Sequence, residues 1–361
     1  MKKLSVVEHR IVCKDDQYNS FPSIAMRRDG TYIMTFRRAP DWQKTFGHVS
    51  HIDPASFAAK LESPDGNNWD SAPSVLYDDF FCGVQDPRLH VLRDGTLMCT
   101  FFKWKVTEKG DPVPEGSFSH NVYGKWTGTL VGSFSIRSTD GGDTWDEPVQ
   151  LPGTNVAIQG DCVEMEDGSV LALTYGQDNG VSNVYVLQSP DRGLTWTQIS
   201  AIPGCDGYHF HEPNLRLTPS GKLVAFIRTA KVSKDANPGL PNSPLYTAES
   251  LDGGLTWSRP VPRAHYSPSP FHVLDLGDDG VFVSYGYRYE PFGIRAFLLN
   301  PECDNCEEAE ELIVREDGGG SDIGYTSAAR LHDGTILLTY YYFDKTGGIR
   351  YIAGTVCSLQ E

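Results

Sequence analysis

The chain has 361 residues, 39% hydrophobic and 22% charged, which is enough apolar material for a packed core and unlike the composition of a disordered polymer. Its formal net charge is −16, a field that repels phosphate backbones and anionic lipid, so nucleic acid and membrane surfaces are poor partners. No run of eighteen apolar residues occurs, and the opening MKKLSVVEHR breaks its apolar character at Glu8, His9 and Arg10, so neither a membrane span nor a signal peptide is expected and the chain reads as cytoplasmic. Its 36 Gly, 23 Pro, 17 Tyr, 17 Phe and 7 Trp describe short aromatic strands joined by tight turns. An anionic ligand on so acidic a protein needs a local group of arginines, which makes Arg37, Arg38, Arg228, Arg288 and Arg295 the ones to place.

In chain order, the run KLSVVEHRIVCK reads as a strand with no hairpin partner of its own. Six segments of one pattern follow: FPSIAMRRDGTYIMTF, VQDPRLHVLRDGTLMCTFF, GDCVEMEDGSVLALTY, HEPNLRLTPSGKLVAFIR, FHVLDLGDDGVFVSYGY and YTSAARLHDGTILLTYY. Each is a β-rich run, a turn closed by glycine, and a second β-rich run, the strongest short-range signal of a hairpin. The turn glycines, Gly30, Gly95, Gly168, Gly221, Gly280 and Gly334, lie 53 to 73 residues apart, room each time for one four-stranded antiparallel sheet. The eight cysteines are scattered, mostly within apolar runs, and read as reduced and buried; Cys303 and Cys306 form a lone C-x-x-C without the second pair or histidines that zinc requires. No metal or cofactor is expected.

A second motif recurs between the hairpins, as SPDGNNW at Ser63, STDGGDTW at Ser138, SPDRGLTW at Ser189 and SLDGGLTW at Ser250. Three copies match S-x-D-x-G-x-T-W in full and the first lacks its threonine. These resemble the Asp-boxes of sialidase-like propellers, where they are surface staples of the fold and rarely meet substrate. The resemblance implies an all-β fold, a six-bladed β-propeller of four-stranded antiparallel blades spanning residues 1–361 as one domain. In a closed ring the N-terminal run completes the last blade beside YIAGTVCSL, because closure removes exposed strand edges.

Repetition allows positions to be compared within the chain. Eight residues before each turn aspartate, or Ser220 in the fourth segment, stand Phe21, Asp86, Gln159, Glu212, Phe271 and Tyr325; eight residues after stand Arg37, Phe102, Tyr175, Arg228, Tyr287 and Tyr341. Innermost strands line a propeller's axis, so matched positions should gather at its mouth. Asp86, Glu212 and Tyr325 are costly to bury without partners, and Arg228 falls across its hairpin from Glu212. Mutual satisfaction of Glu212 and Arg228 and a functional role are both open on spacing alone.

The family resemblance adds roles. In sialidases a tyrosine attacks the anomeric carbon after a glutamate takes its proton, an aspartate protonates the departing group, and three arginines hold the substrate carboxylate. The segment around HEPNLRL looks like the one carrying the glutamate and second arginine, implying Glu212 and Arg228; GIRAFLLNP resembles the stretch of the third arginine, implying Arg295; GYTSAARLHDG resembles that of the nucleophile, implying Tyr325. A neutral phenol suits attack beside a carboxylate, which repels an anionic nucleophile. The first family arginine is replaced by Ser20 in NSFPS, and Arg37 or Arg38 offers a substitute from the next strand. For the acid, Asp53 stands where the family's acid precedes the first Asp-box, with Asp41 and Asp86 as competitors. His209 and His211 flank Glu212, and His211 is expected to hydrogen-bond a sugar rather than bind a metal.

The implied activity is an exo-acting, retaining glycoside hydrolase on a terminal acidic sugar of a glycan, a sialic acid or a related keto or uronic acid. The loss at Ser20 predicts that an ordinary N-acetylneuraminic acid glycoside is not the preferred substrate. Two alternatives stand beside it: a polysaccharide lyase using histidine and tyrosine on a uronic acid, and a glycan-binding propeller without catalysis. The oligomeric state is not legible in the sequence.

Overall fold

The computed structural model describes residues 2–235 and 237–360. Six antiparallel sheets follow one another along the chain as the blades of a propeller. The first holds Gln17–Met26, Tyr32–Pro40, Phe57–Ser63 and Ser74–Tyr77; the second Gly83–Val91, Leu97–Glu108, Trp126–Ser138 and Val149–Gln150. The third holds Val156–Ile158 with Val163–Glu164, then Val170–Asp178, Val181–Ser189 and Thr197–Ile202; the fourth Tyr208–Leu217, Leu223–Lys231, Pro244–Ser250 and Val261–Tyr266. The fifth holds Phe271–Asp275, Val281–Tyr287, Gly293–Leu299 and Leu312–Arg315. The last holds Gly324–Arg330, Ile336–Tyr342 and Tyr351–Gln360, and its outermost strand is Lys3–Cys13, paired from Lys3 with Gln360 to Cys13 with Ile352. The N-terminal run thus closes the ring as its unpaired β character predicts.

Each blade starts at the axis because its first two strands form the sequence-evident hairpin. The turn glycines take φ from 83° to 106°, a range open to glycine, and each donates its N–H to a carbonyl three residues back at 2.8–3.1 Å. Apolar side chains fill the wedges between neighbouring sheets; one such core combines Phe282, Ile294 and Ala296 of the fifth blade with Leu338, Tyr340 and Ala353 of the sixth. Cys303 and Cys306 lie buried in the fifth blade's core, and burial pushes their thiols up to about 12 and about 11.

The Asp-boxes fold as staples. Ser250 Oγ accepts the Gly254 N–H at 2.9 Å, Asp252 accepts Thr256 N–H at 2.9 Å and Thr256 Oγ1 at 2.6 Å, and the Trp257 indole donates to Gly254 O at 3.1 Å. In the first box, which lacks threonine, Asn68 Nδ2 reaches Asp65 at 2.7 Å in its place.

Each innermost strand is a sheet edge with free backbone donors, and side chains of the neighbouring blade meet several of them. Ser327 Oγ accepts Ile24 N–H at 3.1 Å, Ser23 Oγ accepts Leu89 N–H at 3.0 Å, His90 Nδ1 accepts Cys162 N–H at 3.1 Å, and His272 Nε2 accepts Ala328 N–H at 2.9 Å. At the centre the buried Arg88 donates from Nε to Asp161 Oδ1 at 2.9 Å, and its Nη1 lies 3.4 Å from the carbonyls of Pro22 and Thr326. Asp161 Oδ2 faces His272 Nδ1 at 3.0 Å and Asn214 Nδ2 at 3.4 Å. Burial alone would raise the Asp161 carboxyl, but Arg88 and His272 outweigh it and hold it below the carboxylate range. Burial also keeps His272 neutral, so with Nε2 accepting, its one proton sits on Nδ1 and is donated to Asp161. Replacing Arg88 by leucine strands this carboxylate, and the expected cost is about 3–5 kcal/mol, read as a lower midpoint in chemical denaturation.

Candidate active site

Four of the six matched pre-turn residues share an uncommon backbone. Phe21, Asp86, Glu212 and Tyr325 have φ of 56°, 51°, 40° and 48°, although none is glycine. At each the strand register slips, between Ser20 and Ser23, Gln85 and Arg88, His211 and Asn214, and Gly324 and Ser327. These are β-bulges on inner-edge strands. A proline follows three of them, Pro22, Pro87 and Pro213, and because proline has no N–H the skipped ladder position leaves no donor unpaired there. The left-handed backbone costs about 1–3 kcal/mol per residue, and strain of this kind persists where surrounding structure holds it.

The bulges bring three blades' worth of chemistry together. Tyr325 Oη donates to Glu212 Oε1 at 2.5 Å, Arg228 Nη1 forms a short ion pair with Glu212 Oε2, and the same nitrogen reaches Tyr325 Oη at 3.2 Å. All three line a cavity of about 420 Å³ at the axis, walled also by Gln85, Trp104, Tyr175, His211 and Arg288. Burial works to raise the Glu212 carboxyl, but the Arg228 charge and the Tyr325 hydrogen bond prevail and keep it below its usual range, so it is ionised. Asp86 goes the other way: burial first, then the Glu212 charge, push it well above the carboxylate range against the pull of Arg37, Arg88 and Arg228. It is 3% exposed, and its Oδ1 has no hydrogen-bond partner among the described residues. Two neighbouring carboxyls, of which Glu212 lines the cavity and Asp86 does not, are thereby held in opposite protonation states. Burial, with the Glu212 charge adding to it, places the Tyr325 phenol well above its ordinary value.

The other residues singled out from the sequence fall in several places. His211 lies on the cavity wall, accepts or donates at Ser182 Oγ at 3.0 Å, and burial followed by the Arg228 charge lowers it to about 4, so it is neutral. Arg37 pairs in register with Ser20 and is fully buried; its guanidinium sits 5.1 Å from the Tyr18 ring centroid, and none of its nitrogens has a hydrogen-bond partner among the described residues. Arg38 turns away to Asp15 at 2.6 Å and Asn19 at 2.9 Å. Arg295 is spent within the fifth blade, donating to Arg315 O at 3.0 Å and lying 4.6 Å over the Tyr287 ring. The Asp53 carboxylate is occupied by the Trp42 indole at 2.7 Å and the Ala55 amide at 2.8 Å, and Asp41 caps Gln43 N–H at 2.7 Å.

Two contributors had no role assigned from the sequence: Arg288, named only among the arginines to place, and Asp322, not named. Arg288 stands one residue beyond the matched post-turn Tyr287, so counting at a fixed offset passed over it; it donates to Tyr341 Oη at 2.7 Å and lies 5.1 Å over the Tyr325 ring. Asp322, three residues before Tyr325, collects Tyr341 Oη at 2.8 Å, Arg350 Nε at 2.9 Å, His51 Nε2 at 3.1 Å and Tyr18 Oη at 3.1 Å. Burial would raise its carboxyl, and His51, Arg350 and Arg288 hold it down instead. This anion fixes Tyr341 and, through it, Arg288. No three His, Cys, Asp or Glu side chains among the described residues are placed to hold a metal ion.

The BNR repeat-like domain family matches residues 117–288, and no curated protein sequence matches the chain. A solved protein of unknown function from Dyadobacter fermentans is 31% identical, covers 99% of both chains and has a TM-score of 0.89. The intramolecular trans-sialidase of Ruminococcus gnavus, in complex with oseltamivir carboxylate, is 14% identical over 94% of each chain with a TM-score of 0.62. The α-L-arabinofuranosidase of Fusarium graminearum is 13% identical over 97% of each chain with a TM-score of 0.65. These last two share the fold.

The protonated state of Asp86 has a thermodynamic signature. Its folded value lies above its unfolded one, so between the two the native state holds a proton that the unfolded chain has released, and stability falls as pH rises. Asp86→Asn cannot show this loss. From about pH 4 upward, wild type should lose up to about 1.4 kcal/mol per pH unit relative to Asp86→Asn in urea denaturation. Parallel stability curves for the two proteins would show that Asp86 ionises normally.

Proposed function

The chain belongs to the sialidase-like, Asp-box family of six-bladed propellers, and we propose that it is a retaining exo-glycosidase in which Tyr325 attacks the anomeric carbon of a terminal acidic sugar. The observation that carries this reading is the 2.5 Å hydrogen bond from Tyr325 Oη to an ionised Glu212 on the wall of the axial cavity. Glu212 takes the phenolic proton as the Tyr325 oxygen bonds to carbon, so no free phenolate has to form. Asp86, neutral and buried beside them, gives its proton to the departing oxygen; Asp53, whose oxygens are engaged by Trp42 and Ala55, is not needed for this step. Water then attacks the glycosyl-tyrosine with Asp86 as base, and Glu212 returns the proton to Tyr325. Arg228 and Arg288 on the cavity wall are the cations available to a substrate carboxylate. With Ser20 in place of an arginine, and Arg37, Arg38 and Arg295 off the cavity wall, the preferred sugar is not an ordinary N-acetylneuraminic acid glycoside.

A second reading rests on the strongly raised Tyr325 phenol beside an ionised Glu212. Here Glu212 is itself the nucleophile, Asp86 the acid, and Tyr325 a hydrogen-bond donor, the two-carboxylate arrangement suited to a neutral sugar.

Aryl glycosides of acidic and neutral sugars separate the two. Under the first reading Tyr325→Phe and Glu212→Gln each lower kcat/KM by about 10³-fold or more, and a 2-fluoro or 3-fluoro glycosyl fluoride labels Tyr325. Label on Glu212, with Tyr325→Phe retaining activity within about tenfold, selects the second. On a standard sialoside wild type should fall below about 10⁴ M⁻¹s⁻¹ in kcat/KM, and Ser20→Arg should exceed it.

A further inference from the structure

The second blade is built differently from the rest. Its second and third strands run 12 and 13 residues, where the second strands of the other blades run 7 to 9. The surplus rises past the axial cavity, braced by the short strand Ser119–Val122 and by a two-residue turn at Tyr123 and Gly124, both at positive φ, with Lys125 N–H bonded to Val122 O at 3.2 Å. Alternation along Leu97–Glu108 puts Phe102, Trp104, Val106 and Glu108 on one face, and the four divide between two chambers. Phe102 and Trp104 wall the axial cavity; Val106 and Glu108 wall a neighbouring one of about 560 Å³. Ile52 borders both chambers, seated where Gly128 has no side chain: a β-carbon there would lie 2.5 Å from Ile52 Cγ2.

The outer chamber's walls are rings. Phe46 stacks on Tyr123 at 4.2 Å and 24°, Trp126 stands edge-on to Phe46 at 5.8 Å, and Trp42 lies 5.9 Å from Phe46. Its polar groups are few: the Asp53 carboxylate already accepts two hydrogen bonds, while Thr107 Oγ1 and Tyr123 Oη are buried with no hydrogen-bond partner among the described residues. We infer that this chamber is a binding site for a planar aromatic leaving group, held by ring stacking while the sugar occupies the axial cavity. The inference rests on the glycosidase reading for its biological use, but not for binding itself. A second sugar fits less well, because its several hydroxyls would be taken from water into a space whose unpaired hydroxyls are those of Thr107 and Tyr123, whereas the faces of an aryl ring need no partner and gain from offset and edge contacts with the surrounding rings.

The free phenol 4-methylumbelliferone tests the site without catalysis, through its own fluorescence on titration with the full chain. Saturable binding to wild type and to Tyr325→Phe alike, weakened at least tenfold by Trp126→Ala and by Val106→Trp, is the expected result; the second variant fills the chamber and guards against a fold lost with Trp126. No saturable binding to wild type, or binding unchanged by a folded Val106→Trp, overturns the inference. On whichever sugar wild type cleaves, Trp126→Ala should lower kcat/KM for the 4-nitrophenyl glycoside at least tenfold and leave the methyl glycoside within twofold. A defect confined to disaccharides would give the chamber to a second sugar and overturn the aromatic assignment. Binding without any turnover would instead refute the glycosidase reading and leave the site standing.

Discussion

The ion cluster of Arg88, Asp161 and His272 is the contact on which the remaining architecture depends. Its members and their immediate partners come from every blade: Pro22, Arg88, Asp161, Asn214, His272 and Thr326. A propeller has cores between adjacent sheets but none at its centre, where six strand edges converge with their polar backbones. Packing cannot fill that space, so a buried guanidinium with hydrogen bonds radiating to several blades does. A charged centre of this sort is tolerable because each ion is paired and neither stands alone.

The candidate site residues lie beside that cluster. Arg88, Asp161 and Asn214 each follow by two residues the site positions Asp86, Gln159 and Glu212, and the bulges intervene between the two levels. The centre therefore does more than hold the ring: it supplies a rigid floor shut off from water, in which a change of one neighbouring charge decides whether a carboxyl keeps its proton. That is why Asp86 and Glu212, alike in chemistry and in backbone, end in opposite states. Glu212 has Arg228 in contact, while Asp86 has the Glu212 charge as a neighbour and only partial relief from three arginines.

Much of this was legible in the sequence, and what was not has a common cause. Hairpin turns announce themselves locally, so Gly30 to Gly334 yielded six blades, and the unpartnered run at Lys3 yielded the closure. Matched offsets from those turns led to Glu212, Arg228, Tyr325 and Asp86. The bulge that turns these side chains inward was not legible, although the prolines at 22, 87 and 213 were its trace. Arg288 was named among the arginines to place but given no role, because it stands one residue beyond the matched Tyr287; Arg37, Arg38 and Arg295 were assigned to one carboxylate by the resemblance, although their partners lie on separate elements. Asp322 shows no signal in its glycine-rich surroundings; its partners Tyr18, His51, Tyr341 and Arg350 come from distant parts of the chain and meet only in the closed ring.

Closure by Lys3–Cys13 against Tyr351–Gln360 also sets an order of events in synthesis. The pairing of Lys3 with Gln360 joins strands far apart in sequence, and such a contact has to wait until the later strand has been made. Hairpins of the first five blades form from neighbours as each emerges, at little entropic cost. Tyr325, however, belongs to the blade that includes Lys3–Cys13, so the proposed nucleophile and the anion that orders its surroundings are assembled only when the ring shuts. A ribosome-bound intermediate would carry Glu212 and Arg228 already across their hairpin from one another, yet lack Tyr325 beside them until the final strand docks.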